Sequence, residues 1–202
     1  MPLRLGVFGG SFDPIHLGHV LAAGDVRRQL RLDRVLFIPA CRPPHKRGPL
    51  TPYRRRLEMT RLAIAAEPGL ELCPIEESRP GPSYTVDTLG ELRSRYRGAN
   101  LYLIVGSDQY RDVSSWHRPN LLTRLARVVV MSRPGVERPA LFPRHDPKRV
   151  LFRAVIPVEI SAAAVRARLA KGRSVRYMLT VRVAQYVRRH RLYQRPMTRR
   201  TA

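Results

Sequence analysis

Two histidines, His16 and His19, stand three residues apart just after a glycine-rich turn, Gly9-Gly10-Ser11, that closes the first apolar run of the chain. Residues three apart at the start of a helix face the same way. Gly9 and Gly10 let backbone approach a ligand closely, Ser11 adds a hydroxyl, Pro14 stiffens the turn, and Gly18 clears space where a helix begins. Backbone N–H groups, the positive helix end and two imidazoles then converge on one point. Such a point suits an anion, above all a phosphate or phosphoanhydride. The spacing matches neither the dinucleotide glycine fingerprint nor the P-loop. Asp13, His16 and His19 are poorly arranged for a closed metal site, so no protein-held metal is expected.

Further candidates follow in order. His45 and Lys46 lie in PPHK, where a positive charge and hydrogen-bond donors can meet phosphate, or where a proline-rich loop is simply solvated. PSYTVDTL opens a helix that Ser83 or Thr85 could cap, and a helix start also suits a carboxylate. Asp108 follows LYLIVGS; it can accept hydrogen bonds from ribose hydroxyls, cap a helix, or both. Trp116, the only tryptophan, presents a wide π face in the loop SSWHRP. Ser161 reads as the cap of a helix on whose second turn Arg166 can reach back toward an anion.

These residues need a scaffold that delivers them to one edge. Leu5–Phe8, Val35–Ile38, Leu70–Cys73, Leu101–Val105, Val128–Met131 and Val150–Val155 are short apolar runs, several of them continuous, as parallel strands buried on both faces require. Helical stretches alternate with them near Leu17–Leu32, Pro52–Ala66, Thr85–Tyr96, Pro119–Leu125, Ala162–Lys171 and Val181–His190. The alternation predicts an α/β fold, a Rossmann-like open, mostly parallel sheet with helices on both faces. Ligands bind beyond the carboxyl ends of such strands, and the candidates follow those ends. One domain over 1–193 is expected, with a flexible tail over 194–202.

HLGH, and more specifically GGSFDPIHLGH at 9–19, resembles the HxGH nucleotidyltransferase superfamily and, within it, bacterial nicotinate-nucleotide adenylyltransferases. The resemblance runs through residue 193. It implies a nucleotidyltransferase fold and AMP transfer from ATP to nicotinate mononucleotide, giving deamido-NAD and pyrophosphate in NAD biosynthesis. It implies catalytic roles for His16 and His19, and ATP contacts from Gly9, Gly10, Ser11, Gly18, Asp108, Ser161 and Arg166. It further implies that His45, Lys46, Thr85 and Trp116 meet the substrate, Trp116 by stacking on the nicotinate ring, and that Mg²⁺ arrives with ATP. The chain departs from the family pattern at Ala162 and Ala163, where hydroxyls are usual, and at Thr180, which replaces a proline and leaves that helix start less sharply fixed. Sibling transferases acting on nicotinamide mononucleotide or phosphopantetheine are the nearest alternatives.

The net charge of +23 points first to polyanions. All but three of the 38 basic residues are arginine, however, and they are scattered rather than gathered on one arm or interleaved with aromatics. That pattern fits a compositional bias and argues against a nucleic-acid-binding module. A tRNA synthetase would need an anticodon domain that 202 residues do not leave room for. Cys41 and Cys73 make no disulfide framework or zinc motif. With no signal-peptide pattern and no apolar run of membrane-spanning length, a cytoplasmic enzyme without membrane partners is expected.

Overall fold

The computed structural model describes residues 1–44, 48–132 and 137–194. Six strands form one sheet: β1 (Arg4–Gly10), β2 (Arg34–Pro39), β3 (Leu70–Leu72), β4 (Asn100–Gly106), β5 (Arg127–Ser132) and β6 (Val150–Ala154). Their order is β3-β2-β1-β4-β5-β6, and every pairing is parallel, Val7 standing between Leu36 and Leu103. Seven helices accompany them: α1 (Leu17–Gln29), α2 (Tyr53–Ile64), α3 (Thr85–Arg95), α4 (Ser107–Arg111), α5 (Leu122–Leu125), α6 (Ala162–Ala170) and α7 (Val181–Arg189). The chain leaves β1 toward β2 on one side and returns to β4 on the other. A crevice therefore opens at the carboxyl ends of β1 and β4.

Strand residues alternate between two cores. Phe8, Val35, Phe37, Tyr102, Ile104 and Val129 point to one face, where Val20 and Val26 of α1, Met59 of α2, Val165 of α6 and Val183 of α7 cover them. Leu5, Val7, Leu36, Leu103, Val105 and Val130 point to the other, beneath α3, Tyr110 of α4 and Leu122 of α5. Burial on both faces explains why the runs are continuously apolar.

The sequence misplaces some helix starts. Neither Ser83 nor Thr85 caps α3: Tyr84 holds the cap position, and Ser83 Oγ accepts from the Arg42 amide at 2.9 Å. The five-residue α4 carries no legible periodicity, and it starts after Gly106, so Asp108 sits inside it rather than capping it. Thr180 does define the start of α7, its hydroxyl accepting from the Val183 amide at 3.4 Å, so replacing proline leaves that end capped. Residues 195–202 of the expected tail lie outside the described residues.

Gly6 shows how tightly the central strand is enclosed. A Cβ there would stand 2.9 Å from Val35 Cγ2 and 3.1 Å from both Ile104 and Leu32. Gly6→Val is expected to cost about 1–3 kcal/mol through overpacking, read from the urea midpoint at unchanged slope.

Candidate active site

His16 occupies the cap position of α1 with extended backbone, and His19 is the third residue of the helix. His19 Nδ1 accepts from the His16 amide at 3.2 Å, so its proton rests on Nε2. The two rings stack with centroids 3.6 Å apart at 26°. Phe12 meets the His19 ring edge-on at 5.1 Å and Phe8 at 6.1 Å. Phe12 is buried in the left-handed region at φ 45°, a strained backbone for a bulky residue. His16 Nδ1 is buried without a hydrogen-bond partner, and a Cβ on Gly18 would stand 3.1 Å from it. Gly18 is thus the residue that leaves room for His16.

Burial pushes the His16 pKa down from 6.5 to about 4, and burial, reinforced by His16, pulls His19 well below its usual value. Both imidazoles are neutral at pH 7. They offer N–H donors rather than fixed charge, and stacking disfavours charging both.

Around them lies a cleft of about 180 Å³ at the carboxyl ends of β1, β4 and β5. His16, Gly18, His19, Asp108, Ser132 and Ile160 are among its walls. The stretch after β6 forms one side and is tied to α1, with the Ile156 amide donating to Asp25 at 3.1 Å and Gln29 to the Ala154 carbonyl at 2.7 Å. The Asp108 carboxylate is exposed and paired with Arg111 at 2.8 Å. Ser161 caps α6, accepting from the Ala164 amide at 3.1 Å.

Beside the cleft, Gly9 leaves its surface open, whereas a Cβ on Gly10 would meet the Phe12 ring at 3.1 Å. Arg166 does not reach back to its own helix start; it donates to the Asp13 carbonyl at 2.7 Å, tying α6 to the turn after β1. Thr85 and Trp116 lie on the opposite layer, linked through their neighbours. Tyr84 stacks on His117 at 4.3 Å and 24°, and Trp116 lies half-buried against the same core. His45 and Lys46 lie outside the described residues. An open hollow of about 530 Å³, lined by residues that include Cys41, Arg42, Tyr53 and Pro82, does not include His16 or His19 in its described walls.

Sequence reasoning missed what holds the turns. Arg56 of α2 is 1 % exposed. It donates to the carbonyls of Thr51 (2.9 Å), Ser11 (2.7 Å), Ala40 (2.8 Å) and Cys41 (3.4 Å). Ser11 contributes its carbonyl here. Asp13 accepts from the Thr51 amide at 3.2 Å and from the Tyr193 hydroxyl at 2.6 Å. Burial and Asp13 push the Tyr193 phenol up, keeping it a proton donor. The overlooked signal is periodic: Arg56, Met59, Thr60, Ala63 and Ile64 form the buried stripe of α2.

A cytidylyltransferase-like family model matches residues 7–168, and this places the fold and cleft in a class of nucleotidyl-transferring proteins. A "Probable nicotinate-nucleotide adenylyltransferase" of Thermus thermophilus is 46% identical across 95% of this chain and 100% of its own length. One of the same name from Thermomicrobium roseum is 43% identical across 95% and 92%. The chain belongs to the nicotinate-nucleotide adenylyltransferase family. The fold is also that of Plasmodium falciparum nicotinic acid mononucleotide adenylyltransferase complexed with NaAD, with a TM-score of 0.79 at 18% identity over 95% of this chain and 97% of that one.

Two outcomes follow. Arg56→Met strands several carbonyls and is expected to cost about 3 kcal/mol or more in urea unfolding, with Arg56→Lys failing to restore it because an ammonium cannot span the same fork. The depressed histidines make the unfolded chain the stronger proton binder between pH 6.5 and about 4. Stability of the free protein therefore falls as pH drops through that window, and thermal melts of His16→Asn show a shallower fall.

Proposed function

We infer that the protein transfers the AMP of ATP to nicotinate mononucleotide, releasing pyrophosphate and forming deamido-NAD, a step of NAD biosynthesis carried out by one catalytic unit over 1–193 in the cytoplasm. The observation that carries the assignment of the chemistry is the stacked His16–His19 pair at the start of α1, facing a cleft that Asp108 also lines. No described helix is long and apolar enough to cross a membrane.

In this reading a 5′-phosphate oxygen of nicotinate mononucleotide attacks the α-phosphorus of ATP in line. The bond to the bridging oxygen of the β-phosphate breaks, and pyrophosphate leaves with that electron pair. The attacking phosphate is already anionic, so no general base is required. Positioning and stabilisation of spreading charge account for the rate. His19 Nε2–H and His16 donate to the phosphates beside the amides of α1. An arriving polyanion raises the proton affinity of the neutral pair, so positive charge develops there only with substrate bound. Gly9, Gly10 and Ser11 border the phosphates; Ser161 and the donors of Arg166 other than the Nη1 that the Asp13 carbonyl engages meet the outer phosphates, without hydroxyl help from Ala162 and Ala163. Asp108 takes the ribose. Thr85 and Trp116 receive the nicotinate, and His45 and Lys46 serve as phosphate ligands from the segment after β2.

Mg²⁺ carried by ATP would be held mainly by phosphate and water and would neutralise phosphate charge, with Asp108 as the acid among the described walls of the cleft.

Pyrophosphate release measured with nicotinate, nicotinamide and phosphopantetheine acceptors tests the assignment: preference for the nicotinate acceptor supports it, and strong preference for either other overturns it. His19→Ala is expected to lower kcat about 100-fold or more with far-ultraviolet circular dichroism unchanged; near-normal turnover would remove His19 from the mechanism.

A further inference from the structure

We propose that Tyr110 and His145, neither of which touches the cleft, are positioning residues that set Trp116 for the acceptor, fastening its loop to the short helix that carries Asp108. The proposal rests on the reading above, in which Trp116 meets the nicotinate ring. Its ground is a chain of hydrogen bonds buried beneath α4. Tyr110 is 2 % exposed and His145 is 3 % exposed. His145 Nε2 lies 2.9 Å from the Pro119 carbonyl, which can only accept, so the ring proton is on Nε2. Nδ1 is then an acceptor, and the Tyr110 hydroxyl 3.0 Å away donates to it. The same hydroxyl accepts from the Phe142 amide at 3.4 Å. Every polar atom in the chain has a defined role and one direction.

The chain acts as a buckle. Tyr110 lies two residues after Asp108 on α4, while Pro119 lies three residues after Trp116. Joining them through His145 closes the segment 110–119 into a loop fixed at both ends. Inside it, a tight helical turn over Val113–Ser115 holds the Trp116 amide to the Val113 carbonyl at 3.1 Å, and Arg118 adopts φ 48° just before Pro119. Left-handed backbone at an arginine is costly and persists only where its surroundings impose it; the bond from His145 to the next residue supplies that imposition. His117, also inside the loop, stacks on Tyr84, the residue before Thr85.

The buckle also accounts for the long connection between β5 and β6. His145 is presented by a turn in which its amide donates to the Phe142 carbonyl at 2.9 Å, and the next amide, of Asp146, donates to Thr123 Oγ1 at 3.3 Å. A buried imidazole is an expensive way to fill space when leucine would serve. Unlike leucine, it fixes one orientation of the loop relative to α4.

Tyr110→Phe removes the hydroxyl and keeps the ring; His145→Gln keeps an amide able to donate to Pro119; His145→Leu removes both bonds. Steady-state kinetics with ATP and nicotinate mononucleotide, and emission from Trp116, the only tryptophan, read the effect. For Tyr110→Phe and His145→Leu the expected result is a rise of about 10-fold in KM for the mononucleotide. KM for ATP and kcat should stay within about twofold, and Trp116 emission should shift to the red. His145→Gln should recover most of the acceptor KM. A purely structural role would lower the melting temperature while leaving the ratio of the two KM values and the Trp116 emission unchanged, and that outcome overturns the proposal. If the unmodified protein neither turns over the mononucleotide nor changes Trp116 emission on binding it, the functional reading fails first and takes the proposal with it.

Discussion

A single guanidinium organises the catalytic edge. Arg56 is enclosed between the turn after β1 and the segment after β2, and four backbone carbonyls from those two stretches converge on it. The two stretches leave strand and helix geometry here, so these inward-pointing carbonyls have no ladder to receive them. An unpaired carbonyl in the interior is costly. One planar cation with five donors relieves several at once, and fixes the spacing of the turns by its own rigid geometry. Asp13, Thr51, Tyr193 and Arg166 extend the same arrangement to the end of the chain.

This inward charge contrasts with the site itself. The residues facing the cleft are two neutral imidazoles and an exposed carboxylate already paired to Arg111. The chain is strongly basic, yet burial keeps both histidines of the cleft uncharged at pH 7. Scattered surface arginines raise the potential broadly and favour anionic ligands. Donors fixed in direction stand instead at His19, whose Nδ1 accepts from the His16 amide and leaves Nε2 to carry the proton.

Much of this architecture is legible in the sequence. All six strands fall on the short apolar runs; burial on both faces makes the centres of β1, β2, β4 and β5 continuously apolar, while the edge strands β3 and β6 admit Glu71 and Arg153. The HxGH turn marks the cleft because glycine and histidine there answer to local needs: Gly18 yields to the His16 ring, and His19 ties back to the His16 amide. What stayed hidden depends on distant partners. Asp108 and Thr85 look like caps in sequence, but Gly106 and Tyr84 hold those positions because tertiary packing sets where α4 and α3 begin. Arg166 reads in sequence as an anion ligand, and nothing local shows that it also donates to the Asp13 carbonyl, more than a hundred residues away. Nothing local announces that His145 belongs with Tyr110 and Pro119, since it lies 35 and 26 residues from them in sequence. Arg56 alone among the hidden residues left a trace, as a charge on an apolar stripe.

The division of the interior by the sheet has an evolutionary corollary. The layer bearing α1, α2, α6 and α7 supports the histidines and the phosphate turns, while the layer bearing α3, α4 and α5 supports Thr85 and Trp116. The two share strands but almost no side-chain contacts, since neighbouring strand residues face opposite ways. Change in one layer is therefore insulated from the other. Packing beneath α3, α4 and α5 can drift in a lineage while the core around the histidine turn keeps its own complement of side chains.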